Sequence, residues 1–362
     1  MACRLGCDAT YELTITDRCA KNTLLSLDDF TRLTWGRVLD DVSRATVTLP
    51  PGCCGKLADV RSWHNELHIF RNGAEVWSGP VITQPNCRSG VTLVAYDFLA
   101  WLGVRVIRQA RCYDPACGGS AEDPVQIAHR LVADALSPLD GVPTDPCLMK
   151  NLLVIPGGQP QEREYKLRSA YVLAALKDLA RGGLDFTAIG RSIILMPEGH
   201  SLGSTAMLTC DSFTDDVCVT EDGLAAATRA IVTGKGPDGT TVVSGSAGGV
   251  DPFFGLIEVL HNDDSIKTTM AASRQAAGLV AGGNPPPLLV QPPQGSALTP
   301  EAPVCIEDLV PGVEVPVVLD GCTCRTAMQA MRLLKLDVTV DAAGEKVSPL
   351  LAPVRAGVTG GL

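Results

Sequence analysis

From Tyr11 to Ala95 the sequence alternates apolar and polar residues, and turn residues interrupt the alternation. The pattern is clearest in YELTIT, RLTWGRVL, ATVTLP, ELHIFRNGAEVWSGPVIT and VTLVAY. A period of two places successive side chains on opposite faces of a strand. The Asn72-Gly73 pair predicts a type I′ hairpin, because that turn needs positive φ at both central positions. We predict roughly five to seven antiparallel strands, which should close into a small barrel or pack as a sandwich because little helix could cover them.

The length and composition predict several domains built from short elements. A chain of 362 residues exceeds what one hydrophobic core usually supports, so about two to four domains are expected. Hydrophobic residues make up 46% and charged residues 19% of the chain, which excludes wholesale disorder. The 36 glycines, 25 prolines and 4% aromatic residues favour strands and turns over long helices.

After the strand-rich region the pattern becomes mixed. The segment PVQIAHRLVADAL predicts a helix capped by Asp123, with proline at its first position. A second helix is predicted in SAYVLAALKDLARGG, with Ser169 as its cap, Leu173, Leu176 and Ala180 as its apolar stripe, and the glycine pair at its end. LDFTAIGRSIILMPEG predicts two strands around Gly190. These elements predict an α+β domain over 106–205.

The last third of the chain returns to strands around one helix and a proline-rich stretch. Alternation in AATRAIVTGKG and GTTVVSG predicts a hairpin that turns at 237–239, and a helix is predicted to follow 263–265 and end at Gly282-Gly283. The prolines of 284–303 predict an extended linker, or a strap that lies on another subunit. VEVPVVLDG and MRLLKLDVTVD again predict strands, and the glycine-rich end should be flexible.

Charge and hydropathy exclude several classes of protein. A formal charge of −10 argues against binding to nucleic acid, which depends on clustered Lys and Arg. The first residues, MACRLGCDAT, lack the basic and apolar regions of a signal peptide, and no apolar run approaches the roughly 18 residues of a membrane span. We therefore expect a protein made in the cytoplasm, without a membrane span.

Fourteen cysteines are many for a chain made in the cytoplasm, where thiols stay reduced. Cys3, Cys7 and Cys19, together with the adjacent Cys53 and Cys54, could supply four thiolates to zinc or to an iron–sulfur cluster. The alternative, which we favour, is disulfides formed after release from the cell, or buried reduced thiols, and therefore no cofactor. Cys112 and Cys117 could close a small disulfide loop, whereas Cys322 and Cys324 alternate faces and should not share an ion.

No segment carries a recognisable catalytic pattern. The string from His64 to His68 matches neither HExxH nor its inverse, and strand geometry would separate the two histidines by roughly 13 Å. Adjacent acidic pairs are usual in turns and at helix starts, where their side chains accept backbone hydrogen bonds. Four Asp-Asp pairs occur, at Asp28-Asp29, Asp40-Asp41, Asp215-Asp216 and Asp263-Asp264. We predict that the chain is not an enzyme.

The order of these elements resembles the minor tail proteins of long-tailed phages of actinobacteria, which are related to baseplate hub proteins. The residues that carry the resemblance are LLSLDDFTRLTWGRVLDDVSRATVTLP, EVWSGPVIT, VAYDFLAWLGVR, LDFTAIGRSIILMPEG, SFTDDVCVTEDGLAAATR and DLVPGVEVPVVLD. They span about 20–352 as patterns of strand and turn. The cysteine-rich segments MACRLGCDATYELTITDRC and ARCYDPACGG depart from the family pattern.

The resemblance implies a mainly β protein with two small antiparallel β-barrels and an accessory α+β domain, assembled as a homotrimeric ring around the tail channel. Such a protein would join the tail tube to the tail tip in the virion, bind both neighbours and let DNA pass. The alternatives are a receptor- or carbohydrate-binding tip protein and a hub with cell-wall hydrolase activity. The implied domains are a first barrel with the cysteine-rich segment over 1–105, the α+β domain over 106–205, a β-rich region with a helix over 206–283, the proline-rich strap over 284–303, strands completing the second barrel over 304–352, and a flexible tail over 353–362.

Overall fold

A computed structural model of the protein describes residues 5–6, 9–27, 29–51, 55, 57–87, 90–137, 147, 151–236, 239–263, 266, 268–293, 295–322 and 326–354. These residues form a mainly β structure with three α-helices. They fall into two compact units. The first lies within Met1–Asp215, Pro293–Pro316 and Met331–Ala352, and the second lies within Asp216–Pro292, Val317–Ala330 and Pro353–Leu362.

The secondary-structure elements begin with a long series of strands. The first strands are β1 (Tyr11–Asp17), β2 (Thr23–Leu27), β3 (Arg32–Val38), β4 (Arg44–Leu49), β5 (Asn65–Arg71), β6 (Ala74–Thr83), β7 (Asn86–Cys87) and β8 (Gly90–Tyr96). Next come β9 (Arg111–Cys112), α1 (Pro124–Leu136), β10 (Asn151–Val154), β11 (Glu164–Tyr165), α2 (Val172–Ala180), β12 (Leu184–Ile189) and β13 (Ser192–Pro197). The last are β14 (Cys218–Glu221), β15 (Arg229–Lys235), β16 (Val242–Gly248), β17 (Glu258–Asn262), α3 (Thr269–Gly283), β18 (Leu288–Gln291), β19 (Glu314–Leu319), β20 (Ala327–Asp341) and β21 (Gly344–Pro353).

The N-terminal strands form most of an eleven-stranded sheet. Its order is β19-β20-β3-β4-β8-β6-β5-β1-β2, with β21 beside β20 and β7 beside β8. The predicted hairpin is confirmed, because Asn72 and Gly73 connect β5 to β6 with φ values of 51° and 81°. The two-residue β7 raises the number of strands in this region to eight. The order has two ends, so the pairing of the described strands does not close a barrel.

Strand β6 links two parts of this sheet. It pairs with β5 along most of its length and with β8 near its end, and a register shift accompanies each pairing. Such irregularities bend a strand and increase its twist. Gly79 permits the approach to β8, since a Cβ there would overlap the carbonyl oxygen of Tyr96. Any side chain at this position would therefore push β6 and β8 apart.

The C-terminal strands join the same sheet. β20 pairs with β3 in antiparallel register, from Lys335 opposite Val38 to Val340 opposite Leu33. The resemblance implied that the strands of 304–352 complete a second barrel, and that division into domains stays a prediction. Alternation in MRLLKLDVTVD correctly marks a strand, but it carries no information about which strand will be its neighbour.

A buried arginine fixes a loop against this sheet. Arg37 is 4% exposed, and its guanidinium donates to the carbonyl oxygens of Ile306 and Leu309 at 3.0 Å and of Val76 at 2.9 Å. Burial lowers the pKa of Arg37 to about 10. Because three carbonyls replace its hydration, the charge can stay in the interior.

The region 106–205 has the predicted α+β content. α1 begins at Pro124, and the Asp123 side chain accepts from the Val125 amide, as predicted. α2 differs, because Ser169 donates to the Lys166 carbonyl and the helix begins after Tyr171 without a side-chain cap. Its buried face consists of Val172, Ala175, Leu176 and Leu179. Leu176 of the predicted stripe is among them, and Leu173 and Ala180 are partly buried and pack against the same core.

The second unit has a three-stranded sheet and one helix. β15 lies in the centre, antiparallel to β16 and parallel to β17. The predicted hairpin between β15 and β16 is confirmed as a pairing, although residues 237–238 of its turn lie outside the described residues. α3 is capped by Thr268, which accepts from the Ala271 amide. None of the helices in the described ranges is long and apolar enough to cross a membrane.

The proline-rich stretch is partly folded within its own chain. β18 pairs with β14 in a two-stranded sheet, which is consistent with the restriction of proline to edge positions. Farther along, Leu298 and Ala302 are 5% and 2% exposed, and the Leu298 amide donates to the Val347 carbonyl. Only the exposed residues of 284–303 are therefore available for contact with a neighbouring subunit. That such a contact exists stays a prediction.

Candidate functional site

The first unit concentrates buried polar side chains around β5. Glu66 and His68 are two residues apart, so they point from the same face of the strand. Glu66 is 1% exposed and His68 is 6% exposed. Arg191 approaches them from the turn between β12 and β13, where Gly190 has a φ of 53°. We call Glu66, His68, Arg191 and their partners the β5 cluster.

Arg191 connects three separate parts of the chain. Its Nη2 donates to Glu66 Oε1 at 2.7 Å and to the Arg18 carbonyl at 2.6 Å. Its Nη1 donates to the Cys147 carbonyl at 2.5 Å, and the guanidinium lies 5.6 Å from the centre of the Phe98 ring. Burial raises the pKa of Glu66, and Arg191 opposes that rise. A planar donor fork suits such divergent acceptors.

His68 extends the β5 cluster towards solvent. Its Nδ1 lies 3.3 Å from Glu75 Oε2 and its Nε2 lies 3.0 Å from Thr16 Oγ1. Burial disfavours ionised Glu75, but hydrogen bonds with His68 and Ser78 outweigh it and hold the pKa of Glu75 below its usual value. Each named side chain is therefore engaged by another group of the same chain, which is the pattern of a structural junction.

From the sequence, strand geometry is expected to hold His64 and His68 too far apart to share a metal ion. The structure places His64 in the turn before β5 and His68 on the strand. In the described parts of the chain, no group of three or more His, Cys, Asp or Glu side chains is arranged to hold a metal. The arginine was missed, because Arg191 lies 125 residues from Glu66 and no local pattern joins them.

The cysteines are placed only in part. Cys19 forms a disulfide with Cys147, so in this structure it is not a free thiolate ligand. Cys3, Cys7, Cys53 and Cys54 lie outside the described residues, and a zinc or iron–sulfur site at those positions stays a prediction. The predicted bond between Cys112 and Cys117 is present. Further disulfide cysteines are Cys210, Cys305 and Cys322, and Cys87 and Cys218 are free and exposed.

A second polar cluster joins β3 to β12. Asp40, half-buried with a φ of 62°, accepts from the Phe186 amide at 2.9 Å. Neighbouring Asp185 lies 2.5 Å from Arg332 Nη1. Burial and the charge of Asp185 raise the pKa of Asp40 to about 7. The sequence predicts that the acidic pairs are solvated capping residues, and Asp40 differs because the tertiary structure brings a second carboxylate to it.

Replacing Asp40 with asparagine should stabilise the protein at alkaline pH. Asp40 titrates near 3.8 when unperturbed and near 7 in the fold, so folding takes up a proton between these values. The stability that protonated Asp40 contributes is therefore fully present below pH 3.8 and is lost as the pH rises to 7. The asparagine side chain would keep the acceptor for Phe186, donate to Asp185 and tolerate positive φ. We expect a gain on the order of 2 kcal/mol at pH 8 and little below about pH 4, measured as the shift in Tm.

Asp41→Asn is the matched control, because Asp41 is adjacent but pairs with Lys177 at the surface. Its variant should keep the pH dependence of the wild type. Burial also raises the pKa of Asp97 to about 7. Part of the fall in Tm with pH should therefore remain in both variants. An Asp40→Asn protein whose Tm falls with pH as steeply as the wild type would contradict this assignment.

An open groove of about 730 Å³ crosses β3, β4 and β20. Its charged residues include Arg32, Arg44, Lys335 and Asp337, and threonines occupy much of the remaining surface. Thr34 lies opposite both Thr46 and Thr339 in the strand pairing. The lining therefore combines polar side chains with apolar ones such as Trp35, Val42 and Val338, and it does not enclose a ligand on all sides.

No protein-family model matches the chain, and no curated protein matches its sequence. The solved structures that are similar to it include three tail proteins. The 43 kDa tail protein of prophage MuSo2 from Shewanella oneidensis has a TM-score of 0.56 at 13% identity, with 95% of this chain and 98% of that chain covered. The tail protein from Neisseria meningitidis MC58 has a TM-score of 0.54 at 11% identity, with 94% and 96% covered.

The third structure is prophage tail protein gp18 from Listeria monocytogenes EGD-e. Its TM-score is 0.53 at 10% identity, with 93% of this chain and 94% of that chain covered. Such identities establish a common fold and nothing finer. Because the coverage is high in both directions, the chain shares that fold with the three tail proteins over nearly its whole length.

Proposed function

We propose that the chain is a structural subunit of a phage tail. The observation that supports this function is the shared fold, which covers at least 93% of this chain and 94% of each tail protein. The resemblance in the sequence points to the same class of protein.

Within the tail, the proposed role is that of a hub. Three copies form a ring around the channel, join the tail tube to the tail tip, and let DNA pass. The protein is a virion component assembled in the host cytoplasm, and an actinobacterial host follows from the sequence resemblance. A closed ring requires two different mating surfaces on each subunit.

The proposed function is not enzymatic. Three ion pairs in the first unit each have at least one buried partner: Glu66 with Arg191, Asp185 with Arg332, and Arg71 with Glu345. Catalytic groups instead face a site where a substrate can reach them. Zymography on cell walls of the host should show no clearing, and a cleared band at 38.0 kDa would favour the hydrolase alternative.

Two measurements test the hub role. Native mass spectrometry of the non-reduced protein should give a species at three times 38.0 kDa, and extra mass matching zinc or an iron–sulfur cluster would revive the metal site. Immunogold labelling of virions should mark the junction between tail tube and tip. Labelling confined to the capsid, or absent from purified virions, would exclude the hub.

A further inference from the structure

A short two-stranded ribbon in the first unit carries exposed apolar side chains. Val106 lies opposite Tyr171 in an antiparallel bridge, and backbone hydrogen bonds join the residues on either side of the bridge. This is the narrow type of pair, in which the two side chains lie close together on one face. Val106 is 37% and Tyr171 is 53% exposed, and Val104 and Leu167 nearby are 49% and 50% exposed. The ribbon therefore presents an apolar patch to solvent.

The same ribbon is positively charged. Its amides and carbonyls tie its two segments together, since Arg168 donates its amide to the Ile107 carbonyl at 2.8 Å. The segments 104–108 and 166–172 contain no acidic residue and four cationic ones, which are Arg105, Arg108, Lys166 and Arg168. Lys166 and Arg168 are exposed. We call these two segments the basic ribbon, which is positive in a chain whose net charge is −10.

One sheet of the second unit has the opposite charge. It consists of β14 and β18, which pair in antiparallel register. Neither 216–224 nor 284–292, the segments that contain these strands, includes Lys or Arg. Their acidic residues are Asp216, Glu221 and Asp222. Asp216 and Glu221 are exposed, so this sheet presents negative charge to solvent. We call the two segments the acidic edge.

The acidic edge also exposes two leucines. Leu224 is 99% exposed, more than any other large hydrophobic residue in the described parts of the chain. It lies in the short 3₁₀ turn Gly223–Ala225, where its amide donates to the Asp222 carboxylate at 3.0 Å. Leu288 is 38% exposed and lies opposite Glu221. Because the turn already holds Leu224 at the surface, burying this side chain against a partner costs little backbone entropy.

We propose that the acidic edge of one copy of this chain binds the basic ribbon of the next copy. This inference rests on the proposed ring, and it assigns the two different mating surfaces that each subunit of a closed ring needs. The two surfaces complement each other, because both expose apolar side chains and the charges beside those side chains have opposite signs. Such complementarity selects the partner and fixes its register.

The net charge favours a second copy as the occupant of both surfaces. Copies of a chain with a charge of −10 repel each other unless a contact brings a basic surface against an acidic one. The basic ribbon and the acidic edge supply that contact. An unrelated acidic partner would account for the basic ribbon alone, whereas a second copy also accounts for the exposed Leu224.

The apolar part of the contact is tested by sedimentation velocity at concentrations up to about 100 µM. The wild type should form a trimer. Leu224→Ser should dissociate at a concentration at least about ten-fold higher, because every contact in the ring loses a buried leucine. Phe253→Ser is the matched control, since Phe253 is 87% exposed in the same unit but lies outside both surfaces, and it should behave like the wild type. Both side chains are almost fully exposed, so the circular dichroism should be unchanged in both variants.

Charge reversal tests whether the two surfaces meet each other. Lys166→Glu/Arg168→Glu should raise the dissociation concentration at least about 100-fold, and Asp216→Arg/Glu221→Arg should do the same. The chain that carries all four substitutions should form the trimer again, because opposite signs face each other once more. Arg32→Glu/Arg44→Glu is the control, since it makes the same change in net charge at two exposed arginines outside the basic ribbon and should remain trimeric.

Three results would overturn the proposal. They are a wild type that stays monomeric at the highest concentration, a Leu224→Ser protein as trimeric as Phe253→Ser, and a four-substitution protein no more trimeric than the two charge-reversed variants. A monomeric wild type that floats with phosphatidylglycerol vesicles, and loses this binding in Lys166→Glu/Arg168→Glu, would assign the basic ribbon to a membrane instead. Immunogold labelling of virions still decides the hub role separately.

Discussion

Replacing Glu345 with alanine should lower the free energy of unfolding by about 3–5 kcal/mol. Glu345 Oε2 lies 2.7 Å from Arg71 Nε, and Oε1 lies 3.0 Å from Arg71 Nη2. Tyr11 and the Gly6 amide also donate to this carboxylate, at 2.5 and 2.9 Å. The two charged side chains are 2% and 1% exposed. The alanine would remove the carboxylate that accepts two hydrogen bonds from the buried guanidinium, and the loss of this ion pair dominates the effect.

Urea unfolding of wild type and variant would measure the effect. Asp337→Ala is the control, because Asp337 forms an exposed pair with Lys335 and should cost less than about 1 kcal/mol. The double variant Arg71→Met/Glu345→Leu should recover much of the loss, since it removes both buried charges. A Glu345→Ala protein within about 1 kcal/mol of the wild type would mean that water reaches Arg71.

Removing the disulfide between Cys19 and Cys147 should cost about 5 kcal/mol in the chain-entropy account, because the bond closes a loop of 128 residues. The variant Cys19→Ser/Cys147→Ser tests this without disturbing the other bonds. It should also loosen the β5 cluster, since Arg191 donates to the carbonyls of Cys147 and of Arg18, the residue before Cys19. Thermal unfolding under oxidising conditions is the measurement.

Cys112→Ser/Cys117→Ser provides the matched comparison. Its loop spans a separation of 5 residues, so its loss should cost about 2 kcal/mol. Reductant should lower the Tm of the wild type more than that of Cys19→Ser/Cys147→Ser. If the two serine variants were equally stable, loop entropy would not explain the contribution of the longer bond.

Local patterns in the sequence predicted the elements whose causes are local. The Asn72-Gly73 hairpin, the Asp123 cap of α1 and the strands on either side of Gly190 depend on residues within one turn or one strand. Backbone conformation and capping act over a few residues, so a linear pattern contains them. On α2, all three residues of the predicted apolar stripe contact the core, and Leu176 is the fully buried one.

The polar clusters depend on residues that the fold brings together. Glu345 lies 274 residues from Arg71, and Arg191 lies 125 residues from Glu66. The signal that could have revealed them is weak: Glu66 and His68 are charged or polar residues on one face of a strand with buried neighbours. Buried polar groups require partners, but the sequence does not say where the partners are.

By itself, the sequence determined that this chain is strand-rich, turn-rich and acidic, and which short segments form hairpins, strands and helices, because alternation, turn chemistry and capping are encoded by neighbours. The tertiary structure alone decided that β20 lies beside β3, that Cys19 bonds to Cys147, and that apolar residues of the second unit remain uncovered. Strand pairing and burial depend on contacts between distant segments, whose free energies are set only when the whole chain has packed.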